Sequence, residues 1–500
     1  MAKALMVQGT GSHVGKSLLV TGLCRIFSQQ GYRVAPFKAQ NMALNSFVTE
    51  EGGEMGRAQV VQAEAARIKP TFDMNPVLIK PQTDIGAQVI IQGRVIGNFS
   101  AVEYHNYKKE ALNAVRESYR RLKGVYDLIV IEGAGSPAEI NLKKNDIVNM
   151  RIAQLANAPV IIVSDIDRGG VFASLVGTME LLTKRERERV KGFVINKFRG
   201  DLTLLTPGIK TIERRTGVKV LGVIPFFKDI YIPDEDSVSL EKKDTGASNN
   251  GLNVGIIKLP HISNFTDFDP LEREEGVSIS YIETADDLAD QDVLIIPGSK
   301  NTIEDLDYLK NAGFVKGIMR LKQMGKTIVG ICGGYQMLGK NIEDPHAVES
   351  SLRSIPGFGL LDVDTQFSKK KATSQVEAEE LTDNNSLPDR LRGYEIHMGR
   401  TKRSSEKNVF KIVKKSGKPY VRYDGAVSGD GKVWGTYIHG IFDNDGFRKK
   451  FLKGVTGKDV SAADGSNSFE FDAFKETQYE ALAELVKKSL DMNYIADLIG

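Results

Sequence analysis

Thr327-Ile328-Val329-Gly330-Ile331-Cys332-Gly333-Gly334-Tyr335-Gln336 decides how the second half of the chain folds. An apolar, β-branched run reads as a buried strand. It stops at Gly330-Ile331-Cys332-Gly333-Gly334, and a helix-compatible segment, Tyr335-Gln336-Met337-Leu338, follows at once. Gly-x-Cys-x-Gly is the thiol counterpart of the Gly-x-Ser-x-Gly nucleophile elbow. In such an elbow small flanking residues tolerate strained backbone and let the central side chain project into a cleft. A helix N-terminus behind the sulfur offers N–H groups and a positive dipole end, which suits an anionic sulfur or a developing oxyanion. A lone cysteine is most often a core residue. Three glycines at elbow spacing point instead to Cys332 as a nucleophile.

Ahead of this elbow, residues 253–258 and 292–296 read as further strands. The second ends in Pro297-Gly298-Ser299-Lys300, a glycine turn whose N–H groups, with that of Gly333, suit an oxyanion hole. A cysteine nucleophile needs a base. Of the six histidines, His397, in Gly393-Tyr394-Glu395-Ile396-His397-Met398-Gly399, and His439, in Thr436-Tyr437-Ile438-His439-Gly440, lie in suitable contexts. Spacing alone does not choose between them.

The first half alternates short apolar strands, at residues 4–7, 33–37, 128–131, 160–163, 192–195 and 218–224, with helical stretches at 110–122 and 149–156. Continuous apolar strands suit a parallel sheet covered on both faces, so a doubly wound α/β unit is expected. Its first turn, Gly9-Thr10-Gly11-Ser12-His13-Val14-Gly15-Lys16-Ser17, runs from strand into helix and reads as a phosphate-binding loop. Gly9, Thr10 and Gly15 let the backbone close on phosphates, Lys16 neutralises charge and Ser17 can ligate Mg²⁺. Thr10 stands where the regular spacing has its first glycine. Glu132, at a strand end in Ile131-Glu132-Gly133-Ala134-Gly135, is placed to be a second Mg²⁺ ligand. Asn196 ends a later strand and joins the nucleotide candidates. Cys24 falls on the apolar face of the helix after the loop and reads as core.

The remaining bulk properties exclude several classes. The 500 residues exceed one ordinary core, so several domains are expected. Lysine and arginine (67) nearly balance aspartate and glutamate (64), which gives no reason to expect nucleic acid or an anionic membrane as partner. Two cysteines cannot make a disulfide framework. No apolar run approaches the ~20 residues that span a bilayer, and the N-terminus does not read as a signal peptide. A cytoplasmic protein is expected. Residues 241–251 are polar and glycine-containing and read as a linker between units at 1–240 and 252–447. A helical tail occupies 448–500, with Ala481, Leu482, Leu485, Val486 and Leu490 at helical spacing for packing.

Residues 330–336, with Tyr437-Ile438-His439-Gly440, resemble a class I glutamine amidotransferase domain. Residues 9–17 with 131–135 resemble the dethiobiotin synthetase-like ATPases. The two in this order are similar to the cobyrinic and cobyric acid amidases of cobalamin synthesis. Ala35-Pro36-Phe37-Lys38-Ala39-Gln40-Asn41-Met42, Ser164-Asp165-Ile166-Asp167-Arg168-Gly169-Gly170 and residues 393–399 look like the branch acting on the later carboxylates. The resemblance implies two α/β domains, a P-loop-type amidoligase and a flavodoxin-like amidotransferase. It also implies Cys332 as nucleophile with His439 as general acid and base. Where many class I relatives carry a Glu, two residues after this histidine, Ile441 stands. This implies a Cys–His dyad with no third group legible. The implied reaction is ATP- and Mg²⁺-dependent, glutamine-fed amidation of the b, d, e and g carboxylates of adenosylcobyrinic acid a,c-diamide. The corrinoid is then substrate, not cofactor, and Lys38, Gln40, Asn41, Asn45, Asp165 and Arg168 are candidates for its surface. Expected partners are small molecules, with self-association left open. The sister enzyme for the a and c carboxylates and a partition-type ATPase switch are the alternatives.

Overall fold

The computed structural model describes residues 2–82, 86–233, 235, 251–381, 390–457 and 469–500. The expected linker at 241–251 lies outside them, Gly251 excepted. The chain is α/β, built on two mainly parallel sheets.

All six strands expected in the first half form one parallel sheet. Its order is Val220–Pro225, Val190–Phe198, Val160–Asp165, Lys3–Gly9, Leu128–Glu132, Val34–Phe37. Their continuous hydrophobicity has a direct cause. Along Lys3–Gly9, Ala4 and Met6 enter the core on one face while Leu5 and Val7 enter that on the other. Both faces being covered, neither set can be polar.

The second of those cores is closed from the far end of the chain. Helix Phe471–Ser489 lies on helix Lys16–Gln29, and Leu482, Ala483, Val486, Leu490, Ile495 and Ile499 pack with Leu5, Val7, Leu23 and Val163. The N–H of Asp491 donates to Leu221 O at 2.8 Å, beyond the sheet's last strand. The unit expected at 1–240 is therefore completed by the tail.

The second parallel sheet runs Val277–Ile282, Leu252–Ile257, Val293–Ile296, Thr327–Ile331, Val433–Thr436, with Ala426–Val427 antiparallel at its edge. Beside it stands a mainly antiparallel sheet dominated by the pair Val363–Glu380 and Arg390–Arg403, which composition and spacing did not announce. A smaller four-stranded sheet, Gln40–Met42, Val77–Pro81, Gly86–Ile91 and Arg94–Ser100, extends the first half toward the second.

The two halves meet through a small buried cluster, Val48 with Tyr394 and Ile396, and through a charge network. Glu54, fully buried, pairs with Lys80 at 3.0 Å and, across the junction, with Lys371 at 2.6 Å. Burial opposes its ionisation, yet the two ammonium groups hold its carboxyl down at about 2. Among the described residues no helix is long and apolar enough to cross a membrane.

Candidate active sites

The elbow forms as its glycines require. Strand Thr327–Ile331 breaks at Cys332, whose φ of 52° and ψ of −106° lie outside the ordinary regions for a residue with a side chain, and helix Gly333–Leu338 begins beyond it. A Cβ on Gly334 would stand 1.8 Å from Ile296 O, so no other residue fits there. The sulfur is almost wholly buried, 3.7 Å from Ile396 O.

His439 ends the short strand Ile438–His439, which pairs with Arg390–Arg403. Its Nδ1 lies 2.6 Å from Asp267 Oδ2, and the neighbouring Gly440 N–H donates to Asp267 Oδ1 at 3.1 Å. Its Nε2 has no hydrogen-bond partner among the described residues, and the Cys332 sulfur interacts with the ring. Burial disfavours the charged ring, but Asp267 and the sulfur outweigh it and push the imidazole up to about 10. A Cys–His–Asp series therefore stands where a dyad was expected. Asp267 belongs to the short turn Phe265–Phe268, far from His439 in sequence, while Ile441 is core. The carboxylate comes from another element rather than from position 441.

His397 lines the same pocket but is held differently. Its Nδ1–H donates to Gly399 O at 2.8 Å, its ring stacks on Tyr437 at 3.8 Å, and burial pushes it down to about 4. It is a neutral ring with an acceptor nitrogen. Gly298 and Gly333 both face the centre: a Cβ on Gly298 would lie 3.3 Å from His439 Cε1, and one on Gly333 2.9 Å from Ser299 N. Lys80, from the first half, reaches the pocket too.

The second constellation surrounds the loop at residues 9–15. Gly15 adopts φ 98° against Asn196, whose Nδ2 donates to Val14 O at 2.9 Å. Asn196 thus fixes the loop's shape. Thr10 Oγ1 and Ser164 Oγ are 2.9 Å apart, tying the irregular loop position to the next strand. Lys16 Nζ donates to Gly11 O at 2.7 Å and Gly135 O at 3.3 Å, and burial lowers it to about 8. Ser17 Oγ donates to Glu132 Oε1 at 2.9 Å. Lys38 Nζ stands 2.9 Å from the same oxygen, and Gln62 Nε2 donates to Oε2 at 2.6 Å. Gln62, on helix Arg57–Ala65, carries no sequence signal for this site. A serine hydroxyl and a carboxylate side by side, already attended by an ammonium group, are a donor set that suits Mg²⁺.

The residues implied for the corrinoid surface do not gather in one place. Lys38 and Asn41 turn toward the nucleotide site, where Asn41 Nδ2 donates to Gln59 and Glu235. Gln40 accepts from Tyr104. Asp165 pairs with Lys197 at 2.7 Å on the other flank of the loop, and Arg168 is exposed. Asn45 departs most. Fully buried at the junction, it accepts from Phe265 N at 3.1 Å, and it faces the second half rather than a substrate cleft. Cys24 is core, its thiol pushed up by burial.

Residues 5–239 match the family described as "CobQ/CobB/MinD/ParA nucleotide binding domain" and residues 253–447 that described as "CobB/CobQ-like glutamine amidotransferase domain". The chain is 50% identical to a cobyric acid synthase of Syntrophobacter fumaroxidans, covering 100% of this chain and 99% of that protein. It is 52% identical to one of Caldanaerobacter subterraneus subsp. tengcongensis, with the same coverage. With one of Alkaliphilus metalliredigens it shares 51% identity over 99% of each chain.

Proposed function

The chain belongs to the cobyric acid synthase family, and from that premise we propose that it amidates the b, d, e and g carboxylates of adenosylcobyrinic acid a,c-diamide with ammonia made at Cys332. It is a glutamine amidotransferase of cobalamin biosynthesis with a nucleotide-binding half.

In the glutaminase half-reaction the Cys332 sulfur attacks the side-chain amide of glutamine. C–S forms as the carbonyl pair moves to oxygen; when C=O re-forms, His439, kept charged by Asp267, gives its proton to the nitrogen, and C–N breaks to release ammonia. Oxygen charge is taken by N–H groups at Gly333 and Gly298. Water, deprotonated by the now neutral His439, then attacks the thioester and releases glutamate. The strained backbone at Cys332 holds the sulfur proud of the sheet for both steps.

In the ATP half, Gly9, Thr10 and Gly15 cradle the phosphates and Lys16 neutralises them, while Asn196 keeps the loop in shape. Ser17 and Glu132 would hold Mg²⁺, which supplies charge neutralisation on the phosphates. A carboxylate oxygen of the substrate attacks the γ-phosphorus and ADP leaves. The resulting acyl phosphate gives ammonia a carbonyl with a good leaving group. Ammonia displaces phosphate, leaving the amide. In this reading Lys38 accompanies the incoming carboxylate, which its position beside Glu132 supports.

The observation that carries the ammonia half is the Asp267–His439 pair beside an elbow cysteine. Full-length likeness to cobyric acid synthases supports the substrate. The test is mass spectrometry of cobyrinic acid a,c-diamide incubated with the protein, ATP, Mg²⁺ and glutamine. A stepwise ladder ending at cobyric acid is expected. An unchanged corrinoid, with glutamine still hydrolysed, would remove the corrinoid assignment. Amidation of cobyrinic acid itself at a and c would point to the sister activity.

A further inference from the structure

We propose that Asn45-Ser46, a dipeptide of the ATP half, positions His439 of the glutaminase, so that ammonia production is aligned only when the two halves are docked. This rests on the assignment of Cys332 and His439 as the glutaminase pair.

Two sets of contacts converge on the histidine. On one side Asn45 and Ser46 hold the turn that carries Asp267. The Asn45 side-chain oxygen accepts from Phe265 N at 3.1 Å, and Ser46 N–H donates to the Asn264 side-chain oxygen at 3.0 Å. Asn264 sits in the left-handed region at φ 54° and opens the turn Phe265–Phe268, within which Asp267 N–H donates back to Asn264 O at 3.0 Å. Asn is among the side chains that tolerate this region best, so the turn forms at little cost and its placement is set by what bonds to it. Here the reciprocal pair of bonds from the other half of the chain supplies the hold. Asp267 leaves this turn 2.6 Å from His439 Nδ1.

On the other side Ser46 O accepts from the Tyr394 hydroxyl at 3.2 Å. The Tyr394 ring stacks on the His439 imidazole, centroids 5.2 Å apart and 17° from parallel, and Phe47 backs that ring at 5.0 Å. Both faces of the placement, the hydrogen bond to Nδ1 and the plane of the ring, are thus referred to the same two residues. Asn45, Ser46 and Asn264 are all buried, so water does not stand in for a lost partner. The register is fixed from behind, where Arg57 N–H donates to Asn45 O at 3.3 Å and Lys80 Nζ donates to Ser46 Oγ at 2.9 Å. Asn45 is a positioning residue.

The test uses the intact enzyme, with glutamate release and ammonium-driven amidation measured side by side. Asn45→Leu is expected to lower kcat for glutamine hydrolysis about 10- to 100-fold, the scale of a small misplacement of a catalytic group. Glutamine KM and ammonium-driven amidation should stay near the parent's. Asn45→Asp, which keeps an oxygen facing Phe265 N–H, should retain most of the kcat. Tyr394→Phe, which keeps the ring and removes only its bond to Ser46, should lower the same kcat severalfold and answers the question if Asn45→Leu does not fold. An unchanged kcat in Asn45→Leu or in Tyr394→Phe overturns the proposal. So does equal loss of the glutamine- and ammonium-driven activities, or an Asn45→Asp as poor as Asn45→Leu. Retained glutamine hydrolysis in Cys332→Ala would instead overturn the glutaminase assignment on which the proposal rests.

Discussion

At the scale of single residues, the two chemistries are expected to separate cleanly. Cys332→Ala should abolish glutamine-dependent amidation while sparing activity with ammonium salt, and product formation from either nitrogen source measures this. Loss of both in a folded variant would contradict separate centres. Asp267→Asn is expected to lower kcat for glutamate release by about 10²- to 10⁴-fold, as removing an orienting carboxylate does elsewhere. The sign of its pH effect follows from the ring's environment. His439 must be charged to protonate departing ammonia, and Asp267 with the sulfur keeps it so up to about 10. The alkaline limb of the parent's rate profile should fall there. Without Asp267 burial is less opposed, so the limb should move to lower pH; an unmoved limb would dissociate Asp267 from the ring. The elbow at Cys332 was legible because everything such a turn needs lies within a few consecutive residues. Asp267 was not, because an aspartate after a phenylalanine and a threonine resembles any loop carboxylate until the turn is folded against His439. His397 and His439 share a glycine-flanked strand context, and only their partners, Gly399 O and Asp267, distinguish them.

At the scale of elements, the parallel strands declared themselves through unbroken runs of Val, Ile and Leu, since both their faces are buried. The long pair Val363–Glu380 and Arg390–Arg403 did not, although burial alternates along the first strand. Thr365, Ala372 and Ser374 occupy inward positions, and a register shift between Phe367 and Ala372 interrupts the period. Small or polar inward residues and a bulge remove the two-residue signal at its source. The tail was legible as a helix but not its partner, because amphipathic spacing specifies a buried stripe without naming what buries it. The partner is now specific: a Cβ on Gly22 would stand 2.8 Å from Val486 Cγ2. Gly22→Ala should therefore cost about 1–3 kcal/mol by overpacking, and much of that should return in Gly22→Ala with Val486→Ala, where the clashing methyl is gone. Urea unfolding of the two single variants and the pair measures the coupling. Strictly additive losses would refute this contact.

At the scale of the whole molecule, the halves are held by buried charge as well as by apolar packing. Glu54→Gln would leave Lys80 and Lys371 facing each other without a counter-ion, at a cost of about 3–5 kcal/mol. Its linkage to pH has a definite direction. A carboxyl lowered from 4.5 to about 2 contributes stability that is fully present above 4.5 and lost as pH falls toward 2. Hydrogen exchange in the strands Ser46–Val48 and Glu54–Gly56 should accelerate across that window in the parent and not in Glu54→Gln. The same acceleration in both would show that Glu54 is not the group responsible. The return of the tail to the first sheet carries a consequence for how the protein is made. Chains leave the ribosome N-terminus first, and domains generally fold as units in that order. Here the core around Leu5, Val7 and Val163 waits for Leu482, Val486 and Ile495, which are synthesised only after the whole of the second sheet. The middle of the chain, with its cysteine elbow, can gather first, and the phosphate loop's helix gains its cover only after that. A chain cut short before Phe471 would thus keep Cys332, Asp267, His439 and the phosphate loop and lack the cover over its first sheet.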